Sequence, residues 1–464
     1  MTQNTDAPKK ADAKADLMEK LVSLAKRRGF VYQGSEIYGG LAGTWDYGPY
    51  GVALRQNIKN LWWKRFVDDR EDMYGVDAAI LMNPKAWIAS GHVGGFSDPL
   101  VDDLKTKKRY RADHLLEDAG VETKGMKLAD MDKAIKDKKI KSPDGNPLGD
   151  VRQFNMMFKT HVGAAEDETS VSYLRPETAG GMFVNYKNVL DSFHPKLPFG
   201  LAQIGKAFRN EIAPRDFIFR LRELEQMEIE YFVKGEDWKI YFEQFRSQVH
   251  EWFKDIGLDA AHVHELEVAP ADLAHYSKRT IDFEFDYPFG RKELYGLAYR
   301  TDFDLKAHAE HSRVDLSYFD EETKTRYVPH VIEPSFGVDR TFLAILADAY
   351  REDEMNGEVR SYLKLSPSVA PVKIAVFPLL KNKPELVAKA REIYSMLRKE
   401  MRGVEFDDNG NIGKRYRRQD EIGTPFCVTV DFDSLEKGTV TVRDRDTGKQ
   451  ESVPVSELLS RVRS

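Results

Sequence analysis

At 464 residues the chain is too long for a single core, and about three domains is the soft expectation. Hydrophobic residues make up 41%, charged 31% and aromatic 11%; this globular composition confines disorder to segments, and a net charge of −6 announces no bulk attraction to nucleic acid. A single cysteine, Cys427, excludes an intrachain disulfide and a thiolate zinc site; with no run near the roughly 18 apolar residues of a membrane span, it favours a reducing cytoplasm and no membrane partner.

In chain order, residues 1–16 are polar and small and are expected to be a disordered tail. Leu17, Leu21, Leu24 and Ala25 predict a helix over Leu17–Arg28. Tyr38–Gly51 packs glycines among aromatics and predicts tight turns. A helix over Val52–Val67 and a strand over Val76–Met82, stopped at Asn83-Pro84, follow; adjacent Trp62 and Trp63 cannot both face one core, which makes this a candidate dimer seam. Ser90–Pro99 is a glycine-bearing loop whose His92 reads as a structural hydrogen-bonder. Residues 113–150 are rich in Lys and Asp and are expected to be a solvated helical insertion. Phe154–Thr160, Tyr173–Asn185 and a helix over 186–194 lead into Phe208–Phe232, a predicted pair of strands joined by a loop.

Beyond it, Glu236–Gly257 has helical spacing of Trp238, Tyr241, Phe242, Phe245 and Trp252. Strands are expected at Thr280–Tyr287 and Lys292–Thr301 around a Pro288–Arg291 turn, and at Tyr327–Glu333, breaking at Pro334 before a helix over Val338–Tyr350. The body, 17–362, is therefore expected to be an α+β antiparallel sheet with flanking helices. Residues 363–371 (LKLSPSVAP) form a linker by composition. Residues 372–464 alternate strand, helix and strands (Val372–Phe377, Pro384–Arg402, Cys427–Phe432, Thr439–Arg443), a small α/β domain. From Pro371 onward there are 18 basic against 15 acidic side chains, a weakly basic unit on an acidic body.

The chemistry concentrates in three stretches. In Phe208–Phe232 a period of two sets Arg209 and Glu211 on one face, and Arg220, Arg222, Leu224, Gln226, Glu228 and Glu230 on one face of the return strand. A solvated amphipathic strand would alternate in the same way; convergence of two Arg-bearing pairs suits a polyanion and an amine bound side by side. The second stretch is Arg175-Pro-Glu177-Thr178. In the third, Glu333 and Ser335 share a strand face, and Arg340 opens a helix against its dipole, which an anion or a salt bridge would explain.

Together these stretches resemble the class II aminoacyl-tRNA synthetases and, within them, the homodimeric glycyl-tRNA synthetases. The helix, strand and Pro84 resemble the first class motif, FRNE with the return strand the second, and GVDR the third. RADHL (Arg111–Leu115), RPETA, ELYG, EPSFG and RRQDEIGTPF are similar to motifs of the glycine enzymes. The resemblance covers the chain except its first residues and the Lys-rich insertion. It implies activation of glycine by ATP and transfer to the 3′ end of tRNA(Gly), in a homodimer whose last domain binds the anticodon. A synthetase for another small amino acid, and a non-catalytic nucleic-acid-binding relative, are the alternatives; Arg209, Arg220 and Arg340 standing with Glu211 and Glu293 favour the enzyme.

The resemblance implies catalytic roles for Arg209, Glu211 and Arg340. Around ATP it places Asn210, Phe219, Arg220, Leu221, Arg222, Glu223, Leu224, Leu294, Gly337, Val338 and Asp339 as well, with Glu293 the candidate for Mg²⁺, which takes carboxylate oxygen. Around glycine it places Arg111, Glu177, Leu224, Glu225, Gln226, Met227, Glu228, Glu333, Pro334, Ser335, Phe336 and Gly337. Arg209 suits a bidentate grip on the α-phosphate, Arg220 and Arg340 the γ-phosphate, and Glu211 the adenine amine. Without ATP these arginines are expected to repel one another. Two departures stand out: Leu224 replaces a family Phe that would stack on adenine, and Gly180 replaces a family Gln. Asp102–Arg109 lacks the cysteine pairs of some relatives, so no zinc is expected there. In the last domain Lys414, Arg415, Tyr416, Arg417 and Arg418 are candidates for RNA contact, with a solvated helix face the equal alternative.

Overall fold

A computed structural model describes the chain except residues 1–9, Lys124, Ala165, Asn356 and Ser464. Helix α1 (Lys10–Arg27) begins inside the stretch expected to be a tail; the rest of that expectation lies outside the described residues. Helix α2 (Pro49–Trp63) opens on Pro49, whose missing N–H costs nothing in a first turn. It runs on as a wider turn over Lys64–Asp68 and buries Leu54, Ile58, Trp62 and Phe66 on one stripe. Trp63 needs no second subunit to cover it: it packs on Gly75, where a Cβ would lie 2.6 Å from its ring.

The expected strand over 76–82 is displaced. Strand β1 is Met73–Gly75, parallel to the start of the next strand; beyond it the chain is held by Val76 N–H to Ala202 O (2.9 Å), Arg175 Nη1 to Ala78 O (2.7 Å) and a bridge from Leu81 to Leu174. Ser90–Pro99 is a short helix (His92–Gly95) and the start of a strand (Ser97–Asp102) rather than a loop. That strand centres a three-stranded sheet carrying the helices Ala112–Asp118 and Leu128–Asp137. The unit encloses its own core of Val101, Leu115, Leu116, Met131 and Ile135, so the Lys-rich insertion is packed on one side.

Next come α3 (Ala179–Phe193), β2 (Phe199–Phe208), β3 (Glu223–Val233), α4 (Trp238–Asp255), β4 (Val263–Glu267), β5 (Arg279–Tyr287), β6 (Gly290–Thr301), α5 (Phe303–Ser312), β7 (His330–Gly337) and α6 (Val338–Ala349). They form one sheet in the order β4-β5-β6-β7-β3-β2-β1, antiparallel except at β1–β2. On β3, Met227, Ile229 and Tyr231 bury in the core shared with α2 and α4; Gln226, Glu228 and Glu230 take the opposite face and are buried as well.

Two expectations fail here for backbone reasons. Arg209, Glu211, Arg220 and Arg222 lie on no strand: β2 ends at Phe208 and β3 begins at Glu223, because Asp216 and Phe217 adopt left-handed φ of 62° and 59° after Pro214 and fold 209–222 into a loop. And β7 does not break at Pro334. It runs through, with Pro334 paired to Leu297 of β6, while its ladder to β3 skips from Ser335 to Ile332, the gap a residue without N–H leaves.

After the hairpin Tyr350–Met355/Glu358–Leu363, the stretch expected to be a linker buries Leu365, Val369 and Ala370 in the main core. The C-terminal unit comprises β8 (Ile374–Pro378), α7 (Pro384–Glu400), β9 (Val404–Phe406), α8 (Ile412–Ile422), β10 (Phe426–Val430), β11 (Thr439–Asp444) and β12 (Gln450–Pro454). Its sheet runs β9-β8-β10-β11-β12, parallel at β8 to both neighbours and antiparallel beyond. An α+β body with an α/β unit is the expected class.

Candidate active site

A cavity of about 240 Å³ opens on the sheet where the 209–222 loop, β3, β6 and the β7–α6 junction meet. The loop is fastened first. Arg222 gives its backbone N–H to Gly43 O (2.9 Å), Nη1 to Ala42 O (2.7 Å), and Nε and Nη2 to Glu211 O (3.2 and 3.0 Å). Gly43 has φ 75° and a Cβ there would lie 2.6 Å from Pro214, so the glycine- and aromatic-rich stretch closes on the loop as only glycine allows. Arg222 thus braces the wall.

The guanidiniums that line the cavity do not stand unpaired. Arg209 gives Nε–H to Pro176 O (3.0 Å), Arg220 reaches Glu211 at 3.4 Å, and Arg340 pairs with Glu293 at 3.1 Å while lying 4.5 Å over the Phe219 ring. Each has an acceptor, so the expected mutual repulsion is locally offset. The Arg340 guanidinium holds the Glu293 carboxyl below the usual carboxylate range. Glu293 is half exposed, and among the described residues no three acidic, His or Cys side chains gather as a metal cage. This donor set fits an ion that arrives with a phosphate ligand, which is how Mg²⁺ is commonly held.

Toward β7 the cavity adjoins a cluster of acids. Glu228, 3% exposed, is full: it accepts from Thr178 N–H and Ala179 N–H (3.1 Å each), the Thr178 hydroxyl, Gln226 Nε2 (2.8 Å) and Ser335 Oγ (2.7 Å). Five donors exceed the roughly four lone-pair sites of a carboxylate, so Glu228 anchors its neighbours rather than offering a free oxygen. Gln226 Oε1, by contrast, is buried with no partner among the described residues and borders the cavity. Glu177 lies 3.3 Å from His92 Nε2; burial would raise its carboxyl, but His92, Arg300 and Arg209 bring it down to about 2. Glu333 takes Arg300 Nη1 at 2.7 Å.

The other expected residues divide between the surrounding packing and the cavity itself, which Glu225, Asp339 and Arg111 line while held in ion pairs. Met227, Phe336 and Val338 are in the hydrophobic core and Pro334 is buried in the strand, so none turns an apolar side chain to a small ligand by exposure. Glu225 pairs with Arg55 (2.8 Å) and Lys59 (3.2 Å) of α2; Asp339 takes Arg55 (3.2 Å), the Tyr47 hydroxyl and Glu225 N–H (2.8 Å), a bracket between α2 and the sheet. Glu223 is exposed and paired with Lys206 at 2.8 Å, and Asn210 gives its N–H to Met156 O (2.7 Å). Arg111 lines the cavity, tied to Asp98 and Asp113 at 2.5 Å each; burial raises Asp98 to about 6 against the pull of Arg111. Leu221, Leu294, Ser335, Gly337 and Leu224 also border it.

Residue patterns missed Arg300, which hydrogen-bonds Glu333. His92, read as a structural hydrogen-bonder, bonds Ser90 Oγ (2.8 Å) and lies 3.3 Å from Glu177, and Thr178 gives its N–H and hydroxyl to Glu228. Gly180 sits against Trp87, whose ring would be 2.8 Å from a Cβ, so Trp87 occupies the space a longer side chain would take. In the C-terminal unit Arg415 is buried and donates to Pro378, Asp408 and Gly410 carbonyls, and the Tyr416 hydroxyl pairs with Thr429. Both help to hold α8 in place, and buried Arg415 is spent on those carbonyls; Tyr416 is half-buried and Lys414 is exposed.

Comparisons with known proteins agree with this layout. Residues 158–349 match the family model "tRNA synthetase class II core domain (G, H, P, S and T)", and 373–464 match "Anticodon binding domain". The chain is 52% identical over 450 residues to a protein of Bacillus anthracis named glycine–tRNA ligase, covering 95% of this chain and 97% of the relative. Similar proteins of the same name occur in Geobacillus thermodenitrificans, 52% identical, covering 96% and 97%, and in Staphylococcus haemolyticus, 51% identical, covering 95% and 97%.

Proposed function

The chain belongs to the glycine–tRNA ligases of the class II synthetases, and we propose that the cavity on β3 is where it joins glycine to ATP. The enzyme activates glycine to glycyl-adenylate with release of diphosphate, then passes the glycyl group to the 3′ end of tRNA and releases AMP. What supports the placement is the convergence of Arg209, Arg220 and Arg340 with Glu211 and Glu293 in one cavity that Gln226 and Ser335 also line.

In the first step a glycine carboxylate oxygen bonds to the α-phosphorus as the bond to the β-phosphate oxygen breaks. Positioning and charge neutralisation do this work. Arg209 spans the carboxylate and α-phosphate, Arg220 and Arg340 take the diphosphate end, and Glu211 accepts from the adenine amine. Glu293, paired with Arg340 at 3.1 Å, would hold Mg²⁺, which would add positive charge beside the phosphates. The glycine ammonium donates hydrogen bonds to Gln226 Oε1, whose buried oxygen lacks a partner among the described residues, and to Glu177 and Glu333. Glu228 sets the pocket by pinning Gln226 and Ser335. A methyl group changes binding by only about 1–3 kcal/mol where a pocket merely fits better; a Ser335 hydroxyl pinned by Glu228 cannot swing aside, so the pocket rejects rather than merely prefers.

The same proposal covers a catalytic part over 17–362 and an RNA-binding part over 372–464, a cytoplasmic location and a homodimer through the Val52–Pro84 region. No helix among the described residues is long and apolar enough to cross a membrane. Glycine-dependent exchange of labelled diphosphate into ATP tests the site. Arg209→Ala lowers that exchange by about 10²–10³-fold, the cost of removing one preorganised donor from a developing charge; exchange at the native rate would contradict the placement.

A further inference from the structure

Behind the amine end, two carboxyl groups face one another across the sheet. Glu228 pairs with Ser335 and Tyr231 with Ile332, so Glu230 stands opposite Glu333, in the stretch where Pro334 interrupts the ladder. Glu230 is 0% exposed and both its oxygens lack a hydrogen-bond partner among the described residues. One cation serves the cluster: Arg300, 2% exposed, gives Nε and Nη2 to Asp304 (2.8 Å each) and Nη1 to Glu333 (2.7 Å), and lies 3.8 Å over the Tyr276 ring. Among the described residues no hydrogen-bond donor reaches Glu230.

Like charges opposite each other on a sheet face repel, and a buried charge without a partner is replaced by its neutral form. We propose that Glu230 is a positioning residue for glycine: it and Glu333 share one proton while the pocket lacks its amino acid, and the arriving ammonium expels that proton to solvent. This rests on the glycine-activating reading above. The groups facing the pair are Glu228 on its own strand, Arg300 on β6, Asp304 on α5, Glu177 before α3, and Tyr276 beyond Arg300; His92 and His308 face Glu177 and Asp304 in turn. Burial first, then Glu333, pushes Glu230 well above the carboxylate range, and burial pushes Glu333 up to about 8 although Arg300 opposes it. Negative charges thus outnumber the cation, and a second cation belongs there.

The device favours glycine that still carries its ammonium proton, because only an ammonium supplies the charge that ionises the pair. Glycine binding to the full chain, followed by titration calorimetry in buffers of different ionisation heat, reads the proton directly. Wild-type protein releases about one proton per glycine at neutral pH, and its affinity weakens about tenfold per pH unit below the titration of the pair. Glu230→Gln mimics the neutral acid, since its amide can donate to Glu333; it binds glycine with little proton release and a nearly flat pH profile. Glu230→Leu, which removes the titrating group without a donor, also loses the proton release, and stands in should the Gln variant fold poorly. Equal proton release by wild type and the variants overturns the inference, as does glycine binding by wild type with no release. Wild-type protein that binds no glycine overturns the glycine reading itself.

Discussion

Leu224 lines the cavity where the family resemblance implies a ring, and Phe219 beneath Arg340 is held edge-on by Tyr287 and Phe289 at 5.2 Å. A purine there gains dispersion from leucine but not the aromatic increment of roughly 0.5–1.5 kcal/mol. Leu224→Phe therefore tightens ATP about two- to tenfold, read as KM for ATP in diphosphate exchange, with KM for glycine little changed; a weaker ATP site would mean that the ring clashes. The Glu230–Glu333 pair carries a second consequence at this scale. A carboxyl whose folded pKa is raised binds more protons folded than unfolded between the two values, so stability falls as pH rises from about 4.3 toward the folded value. Thermal melts without glycine should drop between mildly acidic pH and pH near 8, and Glu230→Leu should flatten that drop; an unchanged slope in the variant would show that another group titrates.

Among the elements, β3 was legible because its two faces differ in kind, Met227, Ile229 and Tyr231 against Gln226, Glu228 and Glu230, and the α4 stripe was legible from its spacing. What period alone could not show was where pairing stops. Asp216 and Phe217 turn left-handed, so the arginines expected on a strand face sit on a braced loop; Arg209 and Arg220 still line one cavity, while Arg222 is spent on the Ala42 and Glu211 carbonyls. Likewise Arg415 looks like an RNA-binding residue in the sequence and proves to be buried, since nothing local announces the carbonyls that receive it, while Tyr416 is half-buried. The hairpin after α6 joins the C-terminal unit through Asp420, 0% exposed, which takes Arg360 at 3.1 Å and Arg443 at 2.8 Å, both guanidiniums buried. Asp420→Ala strands two buried cations and should cost about 3–5 kcal/mol in denaturant unfolding; a loss below about 1 kcal/mol would show that Asp353 and the Arg445 carbonyl suffice for Arg360.

For the whole molecule, β1 is the last strand of the sheet, and Val52 and Leu81 of the 52–84 region are 56% and 48% exposed. A second copy placed there would cover both, so the protein is expected to sediment as a dimer at micromolar concentration; a monomer would refute the seam. The C-terminal unit is bound to the body by buried ion pairs and by a packed connecting stretch, which sets it at a fixed distance from the cavity for a substrate long enough to touch both. The cavity on β3 is proposed to activate glycine and no larger amino acid. Diphosphate exchange into ATP, run on the full chain with each amino acid in turn, tests it most directly: exchange with glycine and none above background with alanine or serine is the predicted result, and equal exchange with alanine, or none with glycine, would contradict it.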